Sequence, residues 1–123
     1  MILVDSSVWV AHLRWGTTGL ERLLTEGDVA CHPFIIGELA CGQISNRTEI
    51  LSLLQSLPRT AQPDHDEALH FIEAHRLAGK GLGYIDMHLL AASRLSRISL
   101  WTFDQLLQRA ASRLGVNYTV NTG

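Results

Sequence analysis

Apolar residues in this chain alternate between short uninterrupted runs and longer stretches at helical spacing. Ile2-Leu3-Val4, closed by Asp5, is the kind of run that forms a buried strand. Ser6 can then cap a helix carrying Val8, Trp9 and Leu13. Thr18 and Glu21 form a capping-box pair ahead of Leu20, Leu23 and Leu24, and Gly27 stops that helix. Val29-Ala30-Cys31 predicts a second strand, and Pro33 suits the first turn of a helix carrying Ile36, Glu38 and Leu39. Two further capping boxes, Asn46 with Glu49 and Asp64 with Glu67, each open a helix. The second of these runs to about Ala78 and breaks in Gly79, Gly81 and Gly83. A helix from Tyr84 to about Leu95 follows, then a strand over Ile98–Phe103. A helix opened by Asp104 ends near Gly115, and Tyr118-Thr119-Val120 predicts a last strand. Short strands separated by helices predict an α/β fold: three layers, α/β/α, around a short parallel central sheet.

Composition narrows this picture. With 123 residues, 46% of them apolar, residues 1–123 are expected to make a single domain with its own core, and disorder is excluded. No apolar run is long enough to span a bilayer. The N-terminal MILVDSSVW carries an acid early and no basic lead-in, the reverse of a secretory leader, which predicts a cytoplasmic location. Cys31 and Cys41 read as buried thiols of a reducing compartment. The net charge of −2 is unlike that of a non-specific nucleic-acid binder, and of ten basic residues only Lys80 is a lysine. If RNA is the substrate, metal ions and local arginines must offset the acids.

Candidate chemistry lies with four carboxylates. Ligand sites of a parallel α/β sheet lie outside the carboxyl ends of its strands. Asp5 directly follows the first strand, and Asp104 follows Ile98–Phe103 with Thr102 two residues earlier on the same face. Asp86 falls in the first turn of its helix and Glu38 in the second turn of the helix opened by Pro33. Helix N-termini lie on that same side of the sheet, so all four can converge. Gathered carboxylates repel and resist ionising. A hard cation such as Mg²⁺ relieves this through oxygen ligands, and two such ions ~4 Å apart suit phosphodiester hydrolysis. The plain alternative makes Asp5, Asp86 and Asp104 ordinary helix caps or first-turn acids. Glu38 fits it less well, because it stands among Ile35, Ile36, Leu39 and Ala40 and a charge there wants a partner.

Other patterns carry less. His65, His70 and His75 are five apart, about 140° around a helix, whereas a zinc helix needs the i, i+4 pair. Gly79-Lys80-Gly81 follows a helix and lacks Ser or Thr after the lysine, so it is no phosphate loop. Trp9, Trp15 and Trp101 suit the core better than base stacking. Arg94 with Arg97, and Arg109 with Arg113, are accounted for by solvated faces, with phosphate contact as the alternative.

Taken together, VDSSVW, PFIIGELACG around Glu38, GYIDMHLLAAS around Asp86 and LWTFDQLL around Asp104 make the chain resemble a PIN domain over nearly its whole length. Specifically, it resembles the VapC-type toxin ribonucleases of VapBC toxin–antitoxin pairs. By that resemblance Asp5, Glu38, Asp86 and Asp104 match the acidic metal-binding positions, and Ser6 and Thr102 the hydroxyls beside the first and last of them. The resemblance implies an endoribonuclease that uses Mg²⁺, or Mn²⁺, to hydrolyse RNA. It also implies a homodimer and inhibition by a small VapB-type antitoxin, through which any contact with DNA would run. Many relatives place a further acid just after the fourth, where Gln105, Leu106, Leu107 and Gln108 stand here.

Three other readings compete. One is a housekeeping PIN nuclease of RNA processing. A second is a phosphatase or phospho-receiver, which also places Asp after the first strand. Ser7 stands where such a phosphatase wants a second Asp, and Lys80 is not placed as a receiver's late lysine. The third is a metal-free PIN fold used for contact alone, against which the presence of all four acids counts.

Overall fold

The computed structural model describes residues 1–16 and 18–120. Three strands form a parallel sheet: β1 (Ile2–Val4), β2 (Val29–Ala30) and β3 (Ser99–Trp101), in the order β2-β1-β3. Leu3 lies opposite both Ala30 and Leu100, and Val4 opposite Trp101. Isolated bridges extend both edges, Cys31 with Arg59 beyond β2 and Leu100 with Asn117 beyond β3. The helices are α1 (Ser6–Trp15), α2 (Leu20–Thr25), α3 (Pro33–Ala40), α4 (Arg47–Ser56), α5 (His65–Ala74), α6 (Tyr84–Ser96) and α7 (Gln105–Arg113). They pack as two groups around the sheet, one joining α1 with α2 and α3 and α3 with α4, the other centred on α6 with α5, α7 and β3.

Burial follows the short apolar runs. Leu3, Val4 and Leu100 are fully buried, and Trp9 and Trp101 are nearly so, which places both tryptophans in the core; Trp15 is exposed. Every residue of α6 from Met87 to Ser93 is buried. Ala91, Ala92 and Ser93 keep that helix slim enough to be enclosed, and the Ser93 hydroxyl donates to the Leu89 carbonyl at 2.8 Å, so it is not left unpaired inside.

Several local expectations change. Ser6 is the first helical residue of α1 rather than its cap, a place taken by Asp5. The Asp64–Glu67 capping box forms, with bonds of 2.8 and 3.1 Å, because Asp64 has extended backbone. Asn46 does precede α4, but at φ 54° its side chain makes no cap bond, so no box forms with Glu49. Gly19, in the left-handed region, precedes α2, and the Thr18 hydroxyl accepts from Leu20 instead of pairing with Glu21. The expected last strand over Tyr118–Val120 is replaced by pairing one step earlier. There Leu100 N–H donates to the Val116 carbonyl at 2.6 Å and Tyr118 N–H to the Leu100 carbonyl at 2.9 Å. Cys31 is buried as expected, whereas Cys41, which ends α3, is exposed.

Gly81 ties the loop before α6 to α7. Its φ of +79° lies in the left-handed region that favours glycine, and a Cβ there would meet Leu106 Cδ1 at 2.9 Å, a contact that this exposed side chain can turn to relieve. No helix among the described residues is long and apolar enough to cross a membrane.

Candidate active site

With β1 central, the chain leaves it to one side for β2 and returns on the other as β3. The crevice beyond the carboxyl ends of β1 and β3 is therefore the topological switch point of the sheet. Asp5 stands there, 6% exposed, its N–H carrying the ladder one step further to the Trp101 carbonyl at 2.9 Å. As the residue before α1 it could cap that helix, yet its side chain makes no cap bond. Instead Oδ2 accepts from the Ser7 hydroxyl at 2.7 Å and the Thr102 hydroxyl at 2.8 Å. The two hydroxyls lie 3.3 Å apart and each also accepts a backbone N–H, Ser7 from Phe103 and Thr102 from Asp104, both at 3.0 Å. A buried carboxylate needs such donors, and here they leave Oδ1 without a hydrogen-bond partner among the described residues.

The remaining acids arrive from helix starts. Asp104 caps α7, its Oδ1 accepting from Leu107 N–H at 3.1 Å. Asp86, half-buried in the first turn of α6, turns Oδ2 back to Gly83 N–H at 2.8 Å. Each uses one oxygen as a cap and keeps the other free of hydrogen bonds among the described residues, so capping and a role in the cleft are compatible for both. Glu38 departs from expectation. As a residue it is exposed, while Ile35 and Leu39 are the buried members of that stretch. Its carboxylate accepts from the Ser6 hydroxyl at 3.2 Å.

Electrostatics brings the four together. Burial of the Glu38 carboxyl is the largest cause raising its pKa above the usual value, followed by the charge of Asp5 and, more weakly, Asp86; the Ser6 hydroxyl opposes the rise. Asp86 is also raised, by burial first and then by Asp5 and Asp104, against the Gly83 N–H, which favours the charged form. Glu38 thus feels the charge of Asp5 and Asp86, and Asp86 that of Asp5 and Asp104, although 99 positions of sequence separate Asp5 from Asp104.

As they stand, no three His, Cys, Asp or Glu side chains among the described residues close on one point as a ready-made ligand set. An all-carboxylate group with hydroxyls behind it nonetheless fits Mg²⁺, which keeps several waters and takes one or two carboxylates directly rather than a closed protein cage. Nitrogen- and sulfur-seeking metals have no comparable donors in this cleft.

Two features escaped the sequence reading. Ser7 was visible as the residue two beyond Asp5, the spacing at which Asx and Ser/Thr turns hydrogen-bond locally. His32 and His88, both 3% exposed, lie with ring centroids 6.2 Å apart. His32 Nδ1 caps α3 by accepting from Phe34 N–H at 3.0 Å, and burial, His88 and Arg59 lower its pKa to about 4. Phe34 and Tyr84 meet the His88 ring edge-to-face at 4.8 and 4.5 Å. No sequence spacing links these residues. His65, one of the three evenly spaced histidines, pairs with the Tyr84 hydroxyl at 2.6 Å.

Comparison with known proteins gives one consistent answer. Residues 2–113 match the family model described as PIN domain. The chain is 43% identical over 117 residues to Ribonuclease VapC32 of Mycobacterium tuberculosis, in strains CDC 1551 / Oshkosh and ATCC 25618 / H37Rv, covering 94% of each chain. Among solved structures, PAE2754 from Pyrobaculum aerophilum superposes with a TM-score of 0.64 at 18% identity, covering 93% of this chain and 94% of that one. FitAcB from Neisseria gonorrhoeae also gives 0.64, at 19% identity over 91% and 94%.

Proposed function

Because the chain belongs to the PIN-domain family, with a VapC-type ribonuclease as a close relative, we propose that it is a metal-dependent endoribonuclease and the toxin of a type II toxin–antitoxin pair. The observation that supports this best is the electrostatic linkage of Asp5, Glu38, Asp86 and Asp104 at the switch-point crevice: Glu38 and Asp86 are both pushed up, by burial first and then by the charge of neighbouring acids, Asp5 acting on each. A protein with no use for a cation would gain by replacing one of these acids with an amide.

Asp5, Glu38, Asp86 and Asp104 would hold Mg²⁺ or Mn²⁺. Bound there, such an ion supplies Lewis-acid stabilisation of phosphoryl oxygens and lowers the pKa of water. The chain's own groups set the stage. Ser7 and Thr102 hold Asp5 Oδ2, which fixes the carboxylate and leaves Oδ1 for a cation. Ser6 aims Glu38 across from α3. The Gly83 and Leu107 N–H groups fix one oxygen each of Asp86 and Asp104. Held carboxylates lose little freedom when a cation and a phosphate arrive, which is the value of such preorganisation. The partners of this reading are an RNA substrate, a VapB-type antitoxin and a second copy of the chain.

Purified protein should cut RNA with Mg²⁺ or Mn²⁺ and stop in EDTA. Asp5→Asn should slow cleavage at least about a hundredfold, since even residues one step removed from a metal cost up to that much. Full activity in EDTA would overturn the metal-dependent mechanism.

A further inference from the structure

Ser6 and Glu38 each have two faces. One turns to the acidic crevice, and the other lines a cavity of about 330 Å³ between α1 and the loop that follows α3. Whatever fills this cavity is therefore contiguous with whatever is cut. The volume lies at the low end of the roughly 300–1,000 Å³ found for small-molecule sites, so it suits one nucleotide unit better than a length of chain. Val10, Leu13, Leu39 and Ile44 give it aliphatic walls, while Arg14, Gln43 and Ser45 supply donors and acceptors at its rim. That mixture is what a base requires: an apolar slot for its faces and a few polar groups for its edge.

The charge pattern separates base from phosphate. Glu38 and Arg14 both line the cavity and offset one another's charge, a balance that suits an uncharged base better than a bare phosphate. The wall is also held in place. Arg47 donates to the carbonyls of Ala40 and Gly42, the latter at 3.0 Å, and so pins the loop carrying Gln43, Ile44 and Ser45 to the end of α3. A fixed rim can discriminate among bases where a loose one would adapt to all.

We infer that this cavity receives the base of the nucleotide next to the cleaved phosphodiester, with Gln43 and Arg14 reading its edge, and so sets the sequence preference of cleavage. The inference rests on the ribonuclease reading above.

Two arms test it and keep the readings apart. In the first, the intact protein cuts a series of short oligoribonucleotides that differ only in the bases flanking the cut, and kcat/KM is compared across the series. Wild type should favour one base at one flanking position at least about fivefold, the low end of what one pair of base-edge contacts discriminates. Gln43→Ala and Arg14→Ala should bring that ratio to within about twofold. Because the readout is a ratio between substrates, a general loss of activity or stability does not mimic it. An unchanged ratio in both variants, or no preference in wild type, overturns the inference. So does a result in which the variants lose affinity for a protein inhibitor while the ratio is unchanged, for then the cavity is a protein-docking groove. The second arm needs no catalysis: the four uncharged ribonucleosides are titrated in EDTA against wild type while backbone amide NMR shifts are followed. Shifts at Gln43, Ile44 and Ser45, larger for one base and lost in Gln43→Ala, support a base pocket. They would do so even if RNA were never cut, an outcome that would sink only the ribonuclease reading. Shifts confined to other regions, or none, overturn the pocket.

Discussion

Replacing Thr102 by valine removes one oxygen and leaves the shape nearly unchanged, which makes it the sharpest probe of the buried Asp5 network. The lost hydroxyl donates to Asp5 Oδ2 at 2.8 Å and accepts from Asp104 N–H at 3.0 Å, in a residue only 1% exposed. A hydrogen bond to a charged group contributes about 1.5–3 kcal/mol. Asp104 is exposed, so its freed N–H can turn to water and adds little. The expected destabilisation is therefore about 2–3 kcal/mol. At roughly 2.1 cal/mol/K of unfolding entropy per residue, a chain of 123 residues loses about 4 °C of Tm per kcal/mol, so Thr102→Val should melt about 8–12 °C lower. Thr102→Ser keeps the hydroxyl and gives up one buried methyl, about 1 kcal/mol or 4 °C. Thermal melts in EDTA at neutral pH measure both. The two variants should also separate in an Asp5→Asn background. There the acceptor is neutral, the bond is worth nearer 1 kcal/mol, and the penalty of Thr102→Val should shrink by at least about 1 kcal/mol. Equal melting of the valine and serine variants, or an undiminished penalty in the Asp5→Asn background, would refute the assignment of the hydroxyl as a donor to a buried charge.

Three further outcomes are expected. In EDTA at neutral pH, Asp86→Asn should melt higher than wild type, because the folded pKa values of Asp86 and Glu38 are raised. Stability from such groups is fully present below the ordinary carboxylate pKa of about 4 and is lost as pH rises through the folded value, so the gap should close on acidification. Excess Mg²⁺ or Mn²⁺ should stabilise wild type more than the variant, and equal responses would make Asp86 a helix cap only. His32 shifts the other way. Its folded pKa, near 4, lies below the ordinary value of about 6.5, so stability present above pH 6.5 is lost as pH falls toward 4, by about 3 kcal/mol. His32→Asn keeps an N-cap acceptor for Phe34 and should flatten that acid branch of the melting curve; an unchanged branch would show that His32 is protonated while folded. In cells, wild type expressed alone should arrest growth and Asp5→Asn should not, as colony counts after induction would show; unimpaired growth with metal-active protein favours a housekeeping nuclease.

What the sequence made legible divides along a physical line. Asp5, Asp86 and Asp104 were readable because strand ends and helix starts announce themselves through apolar runs and capping residues, and the parallel sheet puts those ends on one side. Glu38 was singled out for its apolar neighbours in sequence, which do not bury the residue: it is exposed in α3, with its carboxyl partly desolvated beside Ser6. Apolar runs report burial, not hydrogen bonding, which is why Ile98–Phe103 shortened to Ser99–Trp101 and the final pairing came at Asn117. A capping box needs backbone angles as well as residue types. Asp64 has them and Asn46, at φ 54°, does not. The His32–His88 contact joins the start of α3 to α6 through tertiary packing alone, so no local pattern could reveal it.

The Ser7–Asp5–Thr102 cluster gives this protein a built-in reporter. The amide protons of Phe103 and Asp104 are held by hydroxyls that are themselves held by one carboxylate oxygen. Neither amide belongs to a helix or a strand, so no regular ladder shields them from solvent deuterium. Their exchange rates therefore depend on how often that cluster opens. A cation or phosphate that steadies Asp5 should slow both amides together. Occupancy of the crevice thus becomes readable at two backbone positions by hydrogen exchange, with no substrate turned over.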